Sequence, residues 1–256
     1  MLFISDVHHG LDSLKTLPNT KEPIVILGDL INWIDYRNGE GIAQDVFGKE
    51  IVSQLVQLRK DHNFIGRKKL WSSMFEKDKE NVQAKLEHAI YRQYQDVFKA
   101  LLNYEVLIIP GNVDSEKIIK ETMTSNVNYI DGKVISYKHF KIGFAGGGVP
   151  TPINARGEIS EEAFSLKLKQ LGEVDIICTH APPYVKELIT DVITNKKEQG
   201  WESLKDYIIE NKPKYSLFGD VHQPQASSWR LGNTECINVG YFRANSNYLE
   251  LSSLVS

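Results

Sequence analysis

Side chains that can bind metal ions stand directly after several short apolar runs of this sequence. The runs are 2–5, 24–27, 106–109, 174–179 and 215–218. The polar residues that follow them are Asp6, His8, Asp29, Asn112, His180, Asp220 and His222. A pair of divalent cations needs a bridging carboxylate with further carboxylates and imidazoles on each side. These five run ends could supply such a set.

The same apolar runs predict how the side chains are positioned. Short continuous apolar runs that end in polar loops are typical of strands in sheets covered on both faces, where ligand groups collect at strand ends. Segments 141–145 and 236–239 predict two more strands. Helical spacing of apolar residues over 115–124, 161–171 and 203–211 gives a mainly alternating order of strands and helices. The predicted class is α/β, and two packed sheets are compatible with it.

One region departs from this alternation, because no convincing strand falls between Asp29 and the run that ends at position 109. Apolar residues recur at helical intervals over 43–59 and 81–102, and 70–75 is a third helical segment. We predict a single domain over 1–256, with a cap-like lobe of three helices inserted at about 40–104.

Composition excludes some classes of protein. The 256 residues are 41% hydrophobic and 25% charged, with a formal net charge of −3. This balance gives no global positive field for non-specific nucleic-acid binding. No apolar run approaches the ~18 residues that a membrane-spanning helix needs, and no secretory signal is visible. Cys178 and Cys236 lie in apolar runs and are expected as buried free thiols, which suits a cytoplasmic protein. The sequence leaves the oligomeric state undecided, and a homo-oligomer is one possibility.

The five motifs, taken in order, resemble the calcineurin-like metallophosphoesterase superfamily. Its pattern runs Asp-x-His, Gly-Asp, Gly-Asn-His-Asp or Gly-Asn-His-Glu, a lone His, and then Gly-His-x-His. The match extends from Asp6 to His222, which is most of the chain. The resemblance implies an αββα sandwich of two mixed sheets with flanking helices. It also implies hydrolysis of a phosphate ester by a hydroxide that bridges two metal ions.

The resemblance further implies a ligand set. Asp6, His8 and His222 would hold one ion, Asn112 and His180 the other, and Asp29 would bridge them. Manganese is the expected metal, with Mg, Fe, Ni or Zn as alternatives. The substrate would be a small phosphorylated molecule, such as a nucleotide.

Two positions depart from the family pattern. Val113 replaces the His that usually serves as general acid, which favours phosphodiesters, good leaving groups or another proton donor. Asp220 replaces a His ligand of the second ion. It either ligates and favours Mn or Mg over Zn, or turns away and leaves the second site weak.

Other residues are candidates for catalysis or substrate binding. Asn112 and Asp114 belong to the catalytic motif, although Asp114 could also simply cap the following helix. His9 is the first choice to replace the missing acid. Further donors or substrate contacts are Asn32, Arg37, Tyr184 and, in a basic cluster at 58–69 that is most simply a solvated face, Arg67. His62, His88 and His139 are expected on the surface.

Three functions remain open at this stage. A metal-dependent phosphoesterase, acting on a phosphodiester, fits the retained motifs. A pseudoenzyme that binds a ligand or a protein would explain the changes at Val113 and Asp220. A nuclease would use the basic cluster, but the net charge disfavours it.

Overall fold

The computed structural model describes residues 1–76, 78–152, 154–193 and 196–254. The strands are β1 Leu2–Ile4, β2 Ile24–Ile26, β3 Val106–Ile108, β4 Val127–Tyr129, β5 Val134–Tyr137, β6 Phe140–Ala145, β7 Ile176–Thr179, β8 Thr190–Asp191, β9 Lys196–Lys197, β10 Tyr215–Phe218, β11 Ser228–Leu231, β12 Thr234–Asn238 and β13 Leu249–Glu250. The α-helices are α1 Leu11–Leu14, α2 Ile42–Phe47, α3 Lys49–Lys60, α4 Phe64–Glu76, α5 Lys79–Ala100, α6 Glu116–Thr122, α7 Glu161–Leu171, α8 Lys186–Ile189, α9 Glu202–Asn211 and α10 Phe242–Asn245, and a short 3₁₀ helix covers Leu251–Leu254.

The larger strands form two mixed sheets. The first has the order β13-β1-β2-β3-β4, with β13 antiparallel to β1 and the rest parallel. The second has the order β11-β12-β10-β7-β6-β5, with antiparallel edge strands β11 and β5 and a parallel centre. Parallel central strands bring the carboxyl ends of β1, β2 and β3 to one edge, and those of β7 and β10 to another.

Alternation of side chains along the strands creates the layers. On β2, Ile24 and Ile26 join a core shared with α5 and α6, whereas Val25 points into a second core between the sheets. On β10, Leu217 joins this central core and Phe218 packs with α7 and α9 on the far side. Helices therefore flank both sheets, and the predicted α/β class with two mixed sheets is confirmed.

The helical region at 40–104 differs in detail from the prediction. Its described residues form four helices, because the segment predicted as one helix over 43–59 is divided at Gly48, whose φ of 85° is not helical. The carboxyl half of α5 buries Ile90, Tyr94 and Val97 against the first sheet. This half is a flanking helix of the sandwich. The division of the chain into a domain and a lobe stays a prediction.

Strands missed by the sequence interpretation lie at or near sheet edges. β5 and β11 are largely half-buried or exposed, so they lack the continuous apolar runs that predicted the central strands. Cys178 and Cys236 are free and buried, as predicted. Among the described helices, none combines the length and apolarity needed to cross a bilayer.

Candidate metal centre

The strand-end residues adopt an unusual backbone conformation. Asp6 and His8 after β1, Asp29 after β2 and Asp220 after β10 have φ of 57°, 41°, 56° and 66°. Residues other than glycine seldom occupy this left-handed region, and such strained conformations cluster at functional sites. The Asp220 N–H donates to Oδ2 of Asp6 at 3.0 Å, which ties the end of β10 in the second sheet to the end of β1 in the first.

One group of ligand atoms surrounds Oδ1 of Asp6. This oxygen lies 3.4 Å from Nε2 of His222 and 3.7 Å from Nε2 of His8, and the two imidazole nitrogens are 3.3 Å apart. Ligand atoms held about 2.0–2.2 Å from one ion stand roughly 3–3.5 Å from each other. The three side chains are therefore spaced as ligands of a single cation.

A second group forms around His180. Its Nε2 lies 3.4 Å from Oδ1 of Asp29 and 3.6 Å from Oδ1 of Asp220, and the Asn112 amide donates to that Asp220 oxygen at 3.2 Å. The other oxygen of Asp29, Oδ2, lies 3.5 Å from Nε2 of His8. Asp29 thus directs one carboxylate oxygen toward each group, and Asp220 points toward the second group rather than away from it.

Backbone carbonyls fix the orientation of two imidazoles. Nδ1 of His8 is 3.1 Å from the Ile31 carbonyl oxygen, and Nδ1 of His180 is 2.8 Å from that of Leu27. A carbonyl can only accept, so each Nδ1 carries the proton and donates it. The Nε2 lone pairs then face the centre, which is the arrangement found in metal-binding histidines.

Buried polar atoms without a partner show whether this donor set fits cations. Within the described residues, Oδ1 of Asp6, Oδ1 of Asn112 and Nε2 of His180 are buried and form no hydrogen bond. Each unsatisfied buried group costs about 1–3 kcal/mol. All three atoms are electron-pair donors at the same centre, so bound cations would satisfy them together. The residues present fit a pair of divalent ions.

The electrostatics point the same way. The pKa of Asp29 is raised to about 6, because burial and the nearby Asp114 and Asp6 together outweigh the lowering by His180 and His8. Burial alone would lower the pKa of His180, but the carboxylates of Asp29 and Asp220 hold it well above its usual range. The centre concentrates buried negative charge, which cations would stabilise.

A family model described as calcineurin-like phosphoesterase matches residues 1–224. The chain belongs to this family. A relative, the uncharacterized protein MJ1162 of Methanocaldococcus jannaschii, is 30% identical over 142 residues, covering 52% of this chain and 63% of the relative. The chain therefore matches less than two thirds of that relative's length.

Solved structures share the fold of this family member. A crystal structure of TT1561 from Thermus thermophilus superposes with a TM-score of 0.58 and 16% identity, over 99% of this chain and 94% of that one. Another crystal structure gives a TM-score of 0.60 and 16% identity, over 94% and 90% of the two chains. At this identity the likeness is one of fold.

Asp114 of the family motif does not reach the surface of the centre. It is fully buried, and its carboxylate accepts from the N–H groups of Asp29 at 2.8 Å, Leu30 at 3.1 Å and Gly111 at 2.9 Å. The Tyr94 hydroxyl donates a further bond at 3.0 Å. These bonds engage both carboxylate oxygens, and a catalytic role of Asp114 stays a prediction. Asp114 thereby positions the loop that carries Asp29.

Close packing explains two of the glycines. A Cβ on Gly111 would lie 2.1 Å from Oδ1 of Asp29, so only glycine permits this approach. The Val113 N–H donates to the same oxygen at 3.1 Å. In the glycine-rich loop after β6, a Cβ on Gly148 would lie 2.2 Å from Cβ of Asn112. This loop therefore packs directly against Asn112 and restricts its position.

A cavity of about 650 Å³ lies beside His8. Some of the predicted substrate-binding residues line this cavity and the others do not. His9 and Asn32 line it, with Nε2 of His9 3.1 Å from Oδ2 of Asp96 and the Asn32 amide donating to the Glu40 carbonyl at 3.2 Å. His88 also lines this cavity and is exposed, as predicted.

The remaining predicted contacts lie elsewhere. Tyr184 and Arg67 do not line the cavity, and Arg67 instead packs over the Phe64 ring of its own helix, 5.3 Å from the centroid. Arg37 is committed to two side chains, because it donates to both oxygens of Asp35 and to the hydroxyl of Tyr241. A substrate contact by Arg37 stays a prediction.

Two residues that contact the proposed metal ligands were not identified from the sequence. Tyr241 stacks on His222, and the Arg243 guanidinium donates to the carbonyl oxygen of His8 at 3.2 Å. Both follow β12, where the sequence shows no ligand-type motif. Only the packing of α10 against the end of β1 reveals them.

Proposed function

We propose that this family member hydrolyses a phosphodiester with the aid of two divalent cations. One observation carries the proposal: the two oxygens of Asp29 are shared between two ligand groups, Oδ2 toward His8 and Oδ1 toward His180. The proposed ligands are Asp6, His8, Asp29 and His222 for one cation, and Asp29, Asn112, His180 and Asp220 for the other.

The chemistry divides between the cations and the protein. Bound divalent cations lower the pKa of water to give a nucleophile and draw negative charge from phosphoryl oxygens. The chain supplies preorganised lone pairs, since carbonyl oxygens fix the imidazoles of His8 and His180. Asn112 is half-buried beside Asp220, where its amide can also contact a phosphoryl oxygen. Such preorganisation reduces the reorganisation needed in the transition state.

Manganese is the proposed physiological metal. Carboxylate oxygens from Asp6, Asp29 and Asp220 and the amide oxygen of Asn112 make the donor set harder than a set built only of imidazoles. The position of Asp220, 3.6 Å from Nε2 of His180, supports its inclusion.

The preference for diesters follows from Val113. Its side chain packs against the core and can donate no proton to a leaving group. His9 is the proposed replacement, because it lines the cavity beside His8 and its ring is oriented by Asp96.

The test combines metal analysis with turnover. Purified protein is loaded in turn with Mn, Mg, Ni and Zn, and assayed on bis(p-nitrophenyl) phosphate and p-nitrophenyl phosphate. We expect about two metals per chain and faster turnover of the diester with Mn. Asp29→Ala should lose both metal and turnover. Asp12→Asn is the matched control, because the Asp12 side chain is 97% exposed and belongs to neither group of proposed ligands.

Either result is informative. Metal-dependent turnover that survives in Asp29→Ala would refute the proposed centre. Absence of metal and of turnover in the unaltered protein would instead support a ligand-binding scaffold.

A further inference from the structure

The cavity beside His8 has a size and position suited to part of a substrate. Its walls are the loop after β1, helix α2 and one face of α5, and its volume is about 650 Å³. Pockets for small molecules usually measure roughly 300–1,000 Å³. Because His8 both lines the cavity and belongs to the candidate metal centre, a molecule bound at the centre can extend directly into this space.

One face of α5 gives the cavity its charge. Lys85, His88 and Arg92 are spaced by three and four positions, so they lie on the same side of the helix, and all three line the cavity. Over the described residues, no carboxylate lies within 4.0 Å of the charged nitrogens of Lys85 or Arg92, whereas Arg243 of the same wall is paired with Glu40.

The acidic groups of the cavity do not cancel this charge. Glu40 already forms an ion pair with Arg243 at 3.2 Å. The remaining carboxylate of the lining, that of Asp45 on α2, carries one negative charge, whereas Lys85 and Arg92 on α5 carry two positive charges. Between these charges the wall includes the apolar side chains of Val46, Ala84 and Ala89. A ligand that suits this wall has an apolar or neutral connecting portion and an anionic end.

We propose that the cavity binds the non-scissile part of the substrate, and that Lys85 and Arg92 hold a second anionic group on it, a phosphate or a carboxylate. This inference rests on the proposed hydrolytic function and specifies its substrate class. An Arg guanidinium matches phosphate and carboxylate oxygens with paired hydrogen bonds, and an ammonium adds a mobile point charge. His88 lies between them on the same face and offers a further ring N–H.

Three diesters with the same leaving group test the inference. They are p-nitrophenyl ethyl phosphate and two analogues whose ethyl end carries a carboxylate or a phosphate. We expect kcat/KM to be at least about tenfold higher for an analogue with the second anion, which is about 1.4 kcal/mol. In Lys85→Ala/Arg92→Ala the ratio should fall to about one. Lys99→Ala, an exposed lysine of the same helix, should keep the ratio of the unaltered protein.

A binding measurement separates failure of this inference from failure of the proposed function. Metal-free protein is titrated calorimetrically with inorganic pyrophosphate, and the double variant should bind at least about tenfold more weakly than Lys99→Ala. If no diester is hydrolysed but this difference in binding is observed, the result supports the anion-binding site and refutes the proposed hydrolytic function. Equal binding by both variants, or an unchanged kcat/KM ratio in the double variant, would overturn the inference.

Discussion

Tyr241 lies flat on the imidazole of His222, with ring centroids 3.8 Å apart and planes inclined by 4°. The hydroxyl of Tyr241 accepts a hydrogen bond from Arg37 at 2.8 Å, and Arg37 is held in turn by the buried Asp35. His222 is the most exposed of the proposed ligands, with 37% of its side chain accessible. The stacked ring therefore restricts a ligand that the surrounding protein would otherwise leave loose.

Removal of this ring should weaken metal binding. Groups that orient metal ligands typically contribute about 10–100-fold in affinity, so Tyr241→Ala should lower Mn affinity at least about tenfold, whereas Tyr241→Phe keeps the stack and most of the affinity. Competition with a metallochromic chelator measures both. Tyr248→Ala, at an exposed tyrosine, is the control. Equal affinity in Tyr241→Ala and the control would contradict a positioning role.

The four hydrogen-bond donors around the Asp114 carboxylate predict an effect on stability. In Asp114→Asn the amide group would face N–H donors of Asp29 and Gly111, leaving buried donors unpaired. We expect a loss of about 2–4 kcal/mol in the free energy of unfolding, and about 1–2 kcal/mol for Tyr94→Phe, which deletes one hydroxyl. Urea denaturation of metal-free protein measures both. Unchanged stability in Asp114→Asn would contradict this structural role of the carboxylate.

The parts of this molecule that could be predicted from sequence are those encoded locally. Residues such as Asp6, Asp29 and His180 directly follow apolar strands, and parallel strands bring their ends together, so a run and the residue after it suffice. The break between α2 and α3 was missed, because the apolar spacing continues across Gly48 although its φ is not helical.

Other features depend on contacts between distant segments. Arg37 and Tyr241 are 204 positions apart, so no local pattern shows that this arginine holds the ring that stacks on His222. In the sequence, the spacing of Lys85, His88 and Arg92 is equally typical of a helix face exposed to solvent. Only the packing of α5 against the loop after β1 turns that face into a cavity wall.

The ion pair between Asp35 and Arg37 predicts a stability change in acid. Burial alone would raise the pKa of Asp35, but the Arg37 guanidinium lowers it to about 2, below the ordinary value of 3.8. The pair therefore stabilises the fold above about pH 4, and this contribution disappears as pH falls through about 2. The difference in unfolding free energy between unaltered protein and Asp35→Asn should shrink over that interval, as measured by denaturation at successive pH values. A difference independent of pH would argue against the ion pair.

The contact between His9 and Asp96 predicts how turnover depends on the leaving group. If His9 supports the departing oxygen, His9→Gln should slow diesters with poor leaving groups, such as alkoxides, by about 10²-fold or more. Esters of p-nitrophenol leave without such help and should be affected much less. Asp96→Asn, which keeps the size of the side chain but weakens its hold on Nε2 of His9, should show the same pattern to a smaller extent. Turnover by both variants is compared across a series of leaving groups at fixed Mn. An equal loss for every leaving group would show that His9 serves the integrity of the site rather than the departing oxygen.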